Sequence, residues 1–552
     1  MSRLELANLL FPEVDYEKMS IESLLAKYPE RNQNVCDRIA PSPTGYFHFG
    51  NLFTALVNWK YARQNDGIFY LRVEDTDQLR KVDDAVDVLL ASLDKFGLNI
   101  DEGPEIGGEY GPYFQSERRE IYLVFIKYLV SQGLAYPCWM SAAEIESIRS
   151  LQTEKKLIPG IYGEFSKYRN FTPDQLAQTY HSAGDTFEVI RFRSPADLTH
   201  KITFNDEIRG EISMIDNYND IVILKKDGLP TYHLAHIVDD TLMRTSLVMR
   251  GEEWLTSVPL HIQLFKSFGL KVPAYAHVAP ICKLDQGKKR KLSKRHDPEA
   301  NVAFFFQKGY QTQALIEYIM TLADSSFEDR RKDHVESDLS EFHFELSKMS
   351  VSGSLFDQQK LDRIANSHLS QVSTEELYNQ TLDRARIYHP DYAKLLQNHP
   401  DYAKFAINIE RFTPKDPKRY TTYADVMAQT INFFDEIFIS GEVRQSIVEL
   451  INSTFSAEML DSLQLFISDY SANFNLENDT EVRFNQLKEI GGKYGFAANN
   501  AQFKEGGYVG KVGDLAMFLR IKLLNSKQTP DLFSMMKVMG RERVISRLMF
   551  YS

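Results

Sequence analysis

Arg38-Ile-Ala-Pro-Ser-Pro-Thr-Gly-Tyr-Phe-His-Phe-Gly50 is a turn punctuated by Pro41, Pro43 and Gly45 that ends in His-x-Gly. A helical pattern follows at once, with Leu52, Phe53, Leu56 and Val57 apolar and Thr54 and Asn58 between them. A turn that brings backbone N–H groups and an imidazole to a helix N-terminus is suited to holding phosphate. Far downstream, Gly287-Lys-Lys-Arg-Lys-Leu-Ser-Lys-Arg295 reads as a mobile basic loop able to clamp the same phosphates from the other side. Alone, the first piece is a plain turn and the second a solvated charged surface. Their order, and the α/β pattern between them, make the pair informative.

Outward from the turn, the spacing predicts a helix over 51–65 and a strand over Gly67-Ile-Phe-Tyr-Leu-Arg-Val-Glu74. A second helix is expected over 83–96, with Ala85, Val86, Leu89, Leu90, Leu93 and Phe96 apolar and Gly97 ending it. This alternation favours a parallel sheet with helices on both faces. Residues 116–230 read as an insertion with strand-like runs at Phe187–Arg193 and Asp220–Leu224, and the alternating fold resumes from Tyr232 to about Cys282. Beyond the basic loop the chain is mainly helical, while residues 1–34 read as an appendage of short amphipathic stretches. No internal repeat is apparent.

The bulk numbers narrow the class. At 552 residues, 43% hydrophobic and 25% charged, the chain is an ordinary globular protein of several domains. A net charge of −12 argues against a surface coated for nonspecific nucleic-acid binding, although a local basic groove can still meet RNA. Cys36, Cys138 and Cys282 are too widely spaced for a disulfide framework or a metal cluster. Without a leader or a membrane-spanning run, the expectation is a cytoplasmic protein with no membrane partner. Neither a Gly-x-Gly-x-x-Gly dinucleotide turn nor a Gly-x-x-x-x-Gly-Lys-Ser/Thr phosphate loop is present.

The two basic and His-bearing segments resemble the ATP-binding signatures of class I aminoacyl-tRNA synthetases, and further blocks resemble the glutamyl-tRNA synthetases of bacterial type. These are Leu71-Arg-Val-Glu-Asp-Thr-Asp77, Gly111-Pro-Tyr-Phe-Gln-Ser-Glu-Arg118, Pro230-Thr-Tyr-His-Leu-Ala, Val238-Asp-Asp-Thr-Leu-Met243, Arg250-Gly-Glu-Glu-Trp254 and Lys291-Leu-Ser-Lys-Arg-His296. Leu519-Arg, Pro530-Asp-Leu-Phe533 and Gly540-Arg-Glu-Arg543 resemble the family's last helices. The resemblance covers almost the whole chain after about residue 35.

It implies an α/β fold: a Rossmann-type parallel-sheet catalytic domain with an α+β insertion, then helical stem-contact and all-α anticodon-binding domains. The corresponding ranges are an N-terminal extension at 1–34, catalytic segments 35–115 and 231–283, and an acceptor-end-binding insertion at 116–230. A stem-contact domain at 284–372 and a helical anticodon-binding region at 373–552 follow. The implied activity is ligation of L-glutamate to tRNA(Glu) with Mg2+-bound ATP, through a glutamyl-adenylate. Charging of tRNA(Gln) is left open, and a monomer is expected. In this family adenylate formation generally requires bound tRNA, which would make assembly of the site an induced-fit event.

Nucleotidyl transfer needs positioning and charge stabilisation more than a protein nucleophile. Thr44 and His48 suit phosphate oxygens, Gly45 and Gly50 allow close backbone approach, and Lys291, Ser293 and Lys294 belong to the second signature; His48, Lys291 and Lys294 carry the catalytic assignment. Glutamate carries two carboxylates and an ammonium. By the resemblance its pocket draws on Arg38, Ala40, Ser42, Glu74, Tyr232, His236 and Arg250, with Arg250 first choice for the side-chain carboxylate because a guanidinium fork matches it. Glu74-Asp-Thr-Asp77 equally reads as a strand end followed by a helix cap. Glu252 and Glu253 start a helix or bind the ATP ribose, with Glu253 taken for the ribose.

Three departures from the family pattern stand out. Position 236 is His where many members have Asn. Cys138-Trp-Met140 replaces Cys-x-Cys, and Tyr168 stands where a further cysteine is expected, so no structural zinc is expected. Asn51 follows Gly50 where class I enzymes usually have His. For RNA, the aromatic and basic residues Tyr162, Phe165, Lys167, Tyr168, Arg169, Phe171, Arg191, Phe192 and Arg193 suit a splayed acceptor end, and core packing explains each aromatic equally well. The rivals are a glutaminyl enzyme, which would show Pro-Glu-Pro-Asn-Gly, a short tRNA-modifying homologue without the C-terminal region, and a silent tRNA-binding paralogue lacking the signature residues.

Overall fold

The computed structural model describes residues 1–43, 47–78, 82, 84–293, 295–333, 339–413 and 418–550. The chain divides into two compact units, Met1–Phe304 with Ile316–Asp357, and Phe305–Leu315 with Gln358–Ser552.

The first unit is built on parallel strands buried on both faces, and of these Ile68–Leu71 reads as an unbroken apolar run. Strand β1 (Cys36–Ile39) pairs in parallel with β2 (Ile68–Leu71), from Cys36 opposite Ile68 to Ile39 opposite Leu71. The crossover between them is helix Phe49–Gln64, close to the expected 51–65, whose Leu52, Phe53, Ala55, Leu56 and Val57 are buried. The strand expected over 67–74 ends at Leu71. Its backbone nevertheless stays bonded to the neighbouring segment, Arg72 N to Ile39 O at 3.1 Å and Glu74 N to Pro41 O at 3.0 Å. The next helix spans Ala85–Lys95, within the expected 83–96.

Strands β3 (Ala135–Cys138), β4 (Val189–Phe192) and β7 (Val222–Leu224) form an antiparallel sheet within the insertion. The hairpin of β5 (Lys201–Asp206) and β6 (Gly210–Ile215) does not join them. It extends the main sheet instead, in the order β6-β5-β9-β8, where β8 is Leu247–Gly251 and β9 is Ala274–Val278. Thus part of the stretch read as a separate insertion belongs to the catalytic sheet, joined where Asp206 lies opposite Tyr275. Strand β8 runs beside β1, with Ser246 N bonded to Cys36 O at 2.9 Å.

Residues 1–34 are no loose appendage. The helix Arg3–Leu10, closed at its start by a Ser2–Glu5 capping box, buries Leu6, Ala7 and Leu10 in the same core as helix Arg119–Ser131. Lys127 Nζ reaches back to the carbonyls of Phe11 and Val14 at 3.1 and 2.5 Å, and Arg31 grips Glu102 at 2.7 and 2.8 Å.

The basic stretch after Gly287 is also more ordered than expected. Strands β10 (Cys282–Asp285) and β11 (Lys288–Lys291) make a hairpin, with Gln286 and Gly287 at φ 48° and 78° in its two-residue turn. Within 284–372, residues 284–304 and 316–357 belong to the first compact unit, and 305–315 and 358–372 to the second.

Among its described residues the second unit is helical apart from a two-residue parallel pairing of Phe496–Ala497 with Gly510–Lys511. Here a tandem escaped the sequence reading: His389-Pro-Asp-Tyr-Ala-Lys394 recurs as His399-Pro-Asp-Tyr-Ala-Lys404. Each copy opens a helix, Pro390–Asn398 and Pro400–Asn408, with proline in the first turn, where its missing N–H costs nothing. No helix among the described residues is long and apolar enough to cross a membrane.

Candidate active site

The pairs β2-β1 and β8-β9 lie side by side, with β1 next to β8, and the connections diverge between these two; ligands of open α/β sheets bind beyond the carboxyl ends of strands at such a switch point. A cavity of about 330 Å³ opens there. Its wall comes from the residues after each strand: Ala40 and Ser42 after β1, Glu74 after β2, Arg250, Glu253 and Trp254 around the end of β8, and Ala279–Ile281 after β9. His48, Gly50, Asn51 and Thr54 at the start of the first crossover helix, with Lys291 from the basic hairpin, complete it.

His48 caps that helix, and its Nδ1 accepts the Gly50 N–H at 2.9 Å. A neutral imidazole that accepts at Nδ1 carries its proton on Nε2, so a donor remains on the ring. A Cβ at Gly50 would lie 3.0 Å from His48 Nδ1, so the glycine preserves this arrangement. Across the cavity, Arg290 binds Asp285 at 2.7 Å and Asp297 at 2.5 and 2.9 Å. Asp297 also accepts Ser293 N at 2.8 Å, which pins the segment just after Lys291. Its hydrogen bonds from Arg290 hold the Asp297 carboxyl well below the usual range. Ser293 does not line the cavity, and its Oγ accepts from Arg295 N at 3.3 Å. Thr44 and Lys294 lie outside the described residues.

The opposite end holds three arginines with different environments. Arg38 donates to Asp240 at 3.3 Å and to Met249 O at 3.2 Å. Arg72, fully buried, donates to Asp240 at 2.7 Å and to Glu74 at 3.1 Å. Arg250, 6% exposed, has no such partner: among the described residues its contacts are Tyr232 Oη at 2.8 Å, His277 Nε2 at 3.1 Å, His261 Nδ1 at 3.2 Å and Trp254 O at 3.4 Å. Every one of these acceptors is neutral. Burial pushes the pKa of His261 well below normal and that of His277 down as well. A guanidinium lining a cavity without a protein carboxylate is a site for an external one.

Glu74 also faces the cavity; burial raises its carboxyl pKa, and Arg72 and Arg38 oppose that rise. Glu253 lines the cavity, packed so close over Gly251 that a Cβ there would meet its carboxylate at 2.3 Å. Glu252 is instead ion-paired with Arg209. The structure therefore separates two adjacent acids that are equivalent in sequence.

His236 is not where the sequence reading put it. It does not line the cavity but sits fully buried behind Tyr232, the two rings stacked at 5.6 Å. Its Nδ1 meets Asp240 and its Nε2 lies 3.1 Å from Tyr275 Oη, while burial depresses its pKa to about 3. It supports the wall through Tyr232.

The candidate RNA-contact set is largely spent internally. Tyr168, Arg191 and Phe192 are buried, Arg169 pairs with Asp220, and Arg193 donates to Arg169 O. Trp139 and Tyr168 pack edge-on at 5.1 Å beside Cys138, and Tyr168 meets Phe171 at 5.2 Å. Among the described residues no group of three or more His, Cys, Asp or Glu side chains could hold a metal ion.

The sequence reading missed Asp239 and Asp240, Arg72, Asp206, His261 and His277. A signal for the first two existed. Adjacent acids on a helix otherwise burying Leu234, Ala235, Ile237, Val238 and Leu242 demand buried donors. Asp239 finds Arg118 at 2.6 Å, Gln115 at 2.8 Å and Tyr122 at 2.9 Å.

Residues 34–363 match the family described as tRNA synthetases class I (E and Q), catalytic domain, and residues 496–551 match an anticodon binding domain family. The chain is 40% identical over 559 residues to a glutamate–tRNA ligase of Clostridium perfringens, covering 99% of this chain and 100% of the relative. It is 38% identical over 557 residues to that of Acetivibrio thermocellus, with 99% of each covered. A crystal structure of a glutamate tRNA ligase from Elizabethkingia meningosepticum, in complex with its amino acid, superposes with a TM-score of 0.69 at 27% identity, covering 94% of this chain and 98% of that one.

Proposed function

The chain belongs to the glutamate–tRNA ligases of class I, and from that premise we propose how its cavity divides the work. The single observation that carries the assignment is Arg250, a buried guanidinium at the cavity wall with only neutral acceptors. It receives the side-chain carboxylate of glutamate together with Tyr232. Arg38, Ala40 and Ser42 lie around the α-carboxylate, and Glu74 takes the ammonium. His236 acts from behind through Tyr232.

ATP lies toward the first crossover helix. His48 through Nε2–H, the Gly50 turn with Thr44, and Lys291 with Lys294 and Ser293 stabilise the triphosphate of ATP, which would arrive with its Mg2+, and Glu253 holds the ribose. In the first step a glutamate carboxylate oxygen bonds to the α-phosphorus, the bridging P–O bond breaks, and pyrophosphate leaves. The donors on both sides of the cavity balance the charge that develops on it. In the second step a terminal ribose hydroxyl of tRNA attacks the acyl carbon and AMP departs. No protein nucleophile is required.

The insertion cradles the acceptor end and the helical unit reads the anticodon, in keeping with the family match at 496–551. The chain acts as a monomer. The test is ATP-dependent attachment of labelled glutamate by the purified protein, run on tRNA(Glu) and tRNA(Gln) transcripts. Charging of tRNA(Glu) alone makes it a discriminating ligase, and charging of both makes it non-discriminating. Charging of neither competent transcript would remove this reading.

A further inference from the structure

Arg250 is held by a second layer of groups that reaches it from the edge of the sheet. Its Nε–H donates to His277 Nε2 at 3.1 Å, and His277 Nδ1 lies 2.7 Å from Asp206 Oδ2. The tautomer follows from the two neighbours. A guanidinium can only donate, so Nε2 must accept; an ionised carboxylate can only accept, so Nδ1 must carry the proton. His277 is fully buried and Asp206 is 1% exposed, so solvent cannot replace either bond.

Asp206 is itself firmly fixed. Its carboxylate accepts the backbone N–H groups of Ile208 at 3.1 Å, Arg209 at 3.0 Å and His277 at 3.1 Å, besides the imidazole. Although burial works against ionisation, these bonds and His277 hold its pKa below the usual carboxylate value. It sits at the last position of β5, where the hairpin meets β9. The hairpin therefore contributes to the cavity without lining it.

We infer that Asp206 and His277 are positioning residues for the glutamate side chain, orienting the Arg250 fork through the neutral Nδ1–H tautomer of His277. The inference rests on Arg250 receiving the side-chain carboxylate. In that arrangement His277 occupies Nε and, with Tyr232 and His261 on the terminal nitrogens, sets the plane in which the fork meets its ligand. A carboxylate in the place of His277 would neutralise the guanidinium, whereas a neutral acceptor orients it and leaves its charge for the substrate.

The test is steady-state aminoacylation of tRNA(Glu) by the full-length enzyme and three variants, varying glutamate and ATP separately, with glutamine as competitor. His277→Leu removes the acceptor. A lost hydrogen bond to a charged group should raise KM for glutamate by about ten- to a hundredfold. KM for ATP should stay near the parent value, and discrimination against glutamine should weaken. His277→Gln, which can return an acceptor to the Nε2 position, should restore part of the glutamate KM. Asp206→Asn tests the same point without a change of volume. An amide N–H facing Nδ1 moves the imidazole proton to Nε2, donor against donor with Arg250, and should also raise KM for glutamate.

An unchanged glutamate KM in both His277→Leu and Asp206→Asn overturns the inference. So does an equal rise for glutamate and ATP that His277→Gln fails to reverse, the result expected of a merely structural histidine. Arg250→Gln is measured alongside. If it leaves the glutamate KM unmoved, the assignment of Arg250 is what fails; if it raises that KM while the His277 and Asp206 variants do not, only the positioning role falls.

Discussion

Arg72 Nη1 lies 2.7 Å from Asp240 Oδ1 with both side chains fully buried, and the same carboxylate oxygen also takes Arg38 Nε at 3.3 Å. One acid thus anchors two arginines, Arg38 at the cavity wall and Arg72 behind it, and removing it would leave Arg38 on the Met249 carbonyl and Arg72 on Glu74. Asp240→Leu is expected to cost about 3–5 kcal/mol, the penalty of breaking a buried ion pair by removing one partner. The double variant Arg72→Met/Asp240→Leu should recover a large part of that. Urea unfolding of the four proteins measures both. A single variant within about 1 kcal/mol of the parent would show that water or rearrangement satisfies Arg72.

Gly50→Ala should act on catalysis through His48. The added Cβ would lie 3.0 Å from Nδ1, so the ring must give way and its bond to the backbone of residue 50 is disturbed. Displacing a phosphate-facing group by a fraction of an ångström to an ångström costs about ten- to a hundredfold in rate. Pyrophosphate exchange in the presence of tRNA should show that fall in kcat with the glutamate KM nearly unchanged. A loss confined to the glutamate KM would contradict the role given to His48.

Glu252 and Glu253 should behave differently despite adjacency. Glu253→Gln is expected to raise the ATP KM several-fold, since its carboxylate lines the cavity. Glu252→Gln breaks only a partly exposed ion pair with Arg209, a contact worth about 0–1 kcal/mol, and should leave the ATP KM where it was. Equal effects from the two substitutions would refute the division.

Acid should destabilise the first unit through its histidines. Burial holds His233 at a pKa of about 4 and His236 at about 3, against 6.5 for an exposed imidazole. As pH falls below 6.5 the unfolded chain takes up protons that the folded one refuses. Stability is therefore fully present above 6.5 and declines toward the folded values, by about 1.4 kcal/mol per pH unit for each such group. His236→Asn should flatten the decline between pH 6.5 and 5 by roughly one proton's worth. Denaturation at several pH values gives the slope, and an identical slope in the variant would rule out His236 as a contributor.

The periodicity of contiguous segments was enough to place much of the scaffold, and the family resemblance pointed to the chemistry. Leu52, Phe53, Leu56 and Val57 fall on the buried face of their helix, and the apolar run of β2 is a strand. The blocks around His48, Glu74, Arg250 and Lys291 do converge on one cavity. Helix periodicity, caps and turn residues act over a few neighbours, so they can be read in a line. What only the tertiary structure decided is which groups share a buried charge. Asp206 meets His277 across 71 positions, His277 meets Arg250 across 27, and Arg72 meets Asp240 across 168. It also decided that the hairpin at 201–215 joins the main sheet, that residues 1–34 help close its core, and that His236 stands behind Tyr232 and not at the cavity. A buried ion or imidazole must find its partner wherever packing brings one within hydrogen-bonding distance, and no local pattern encodes that distance.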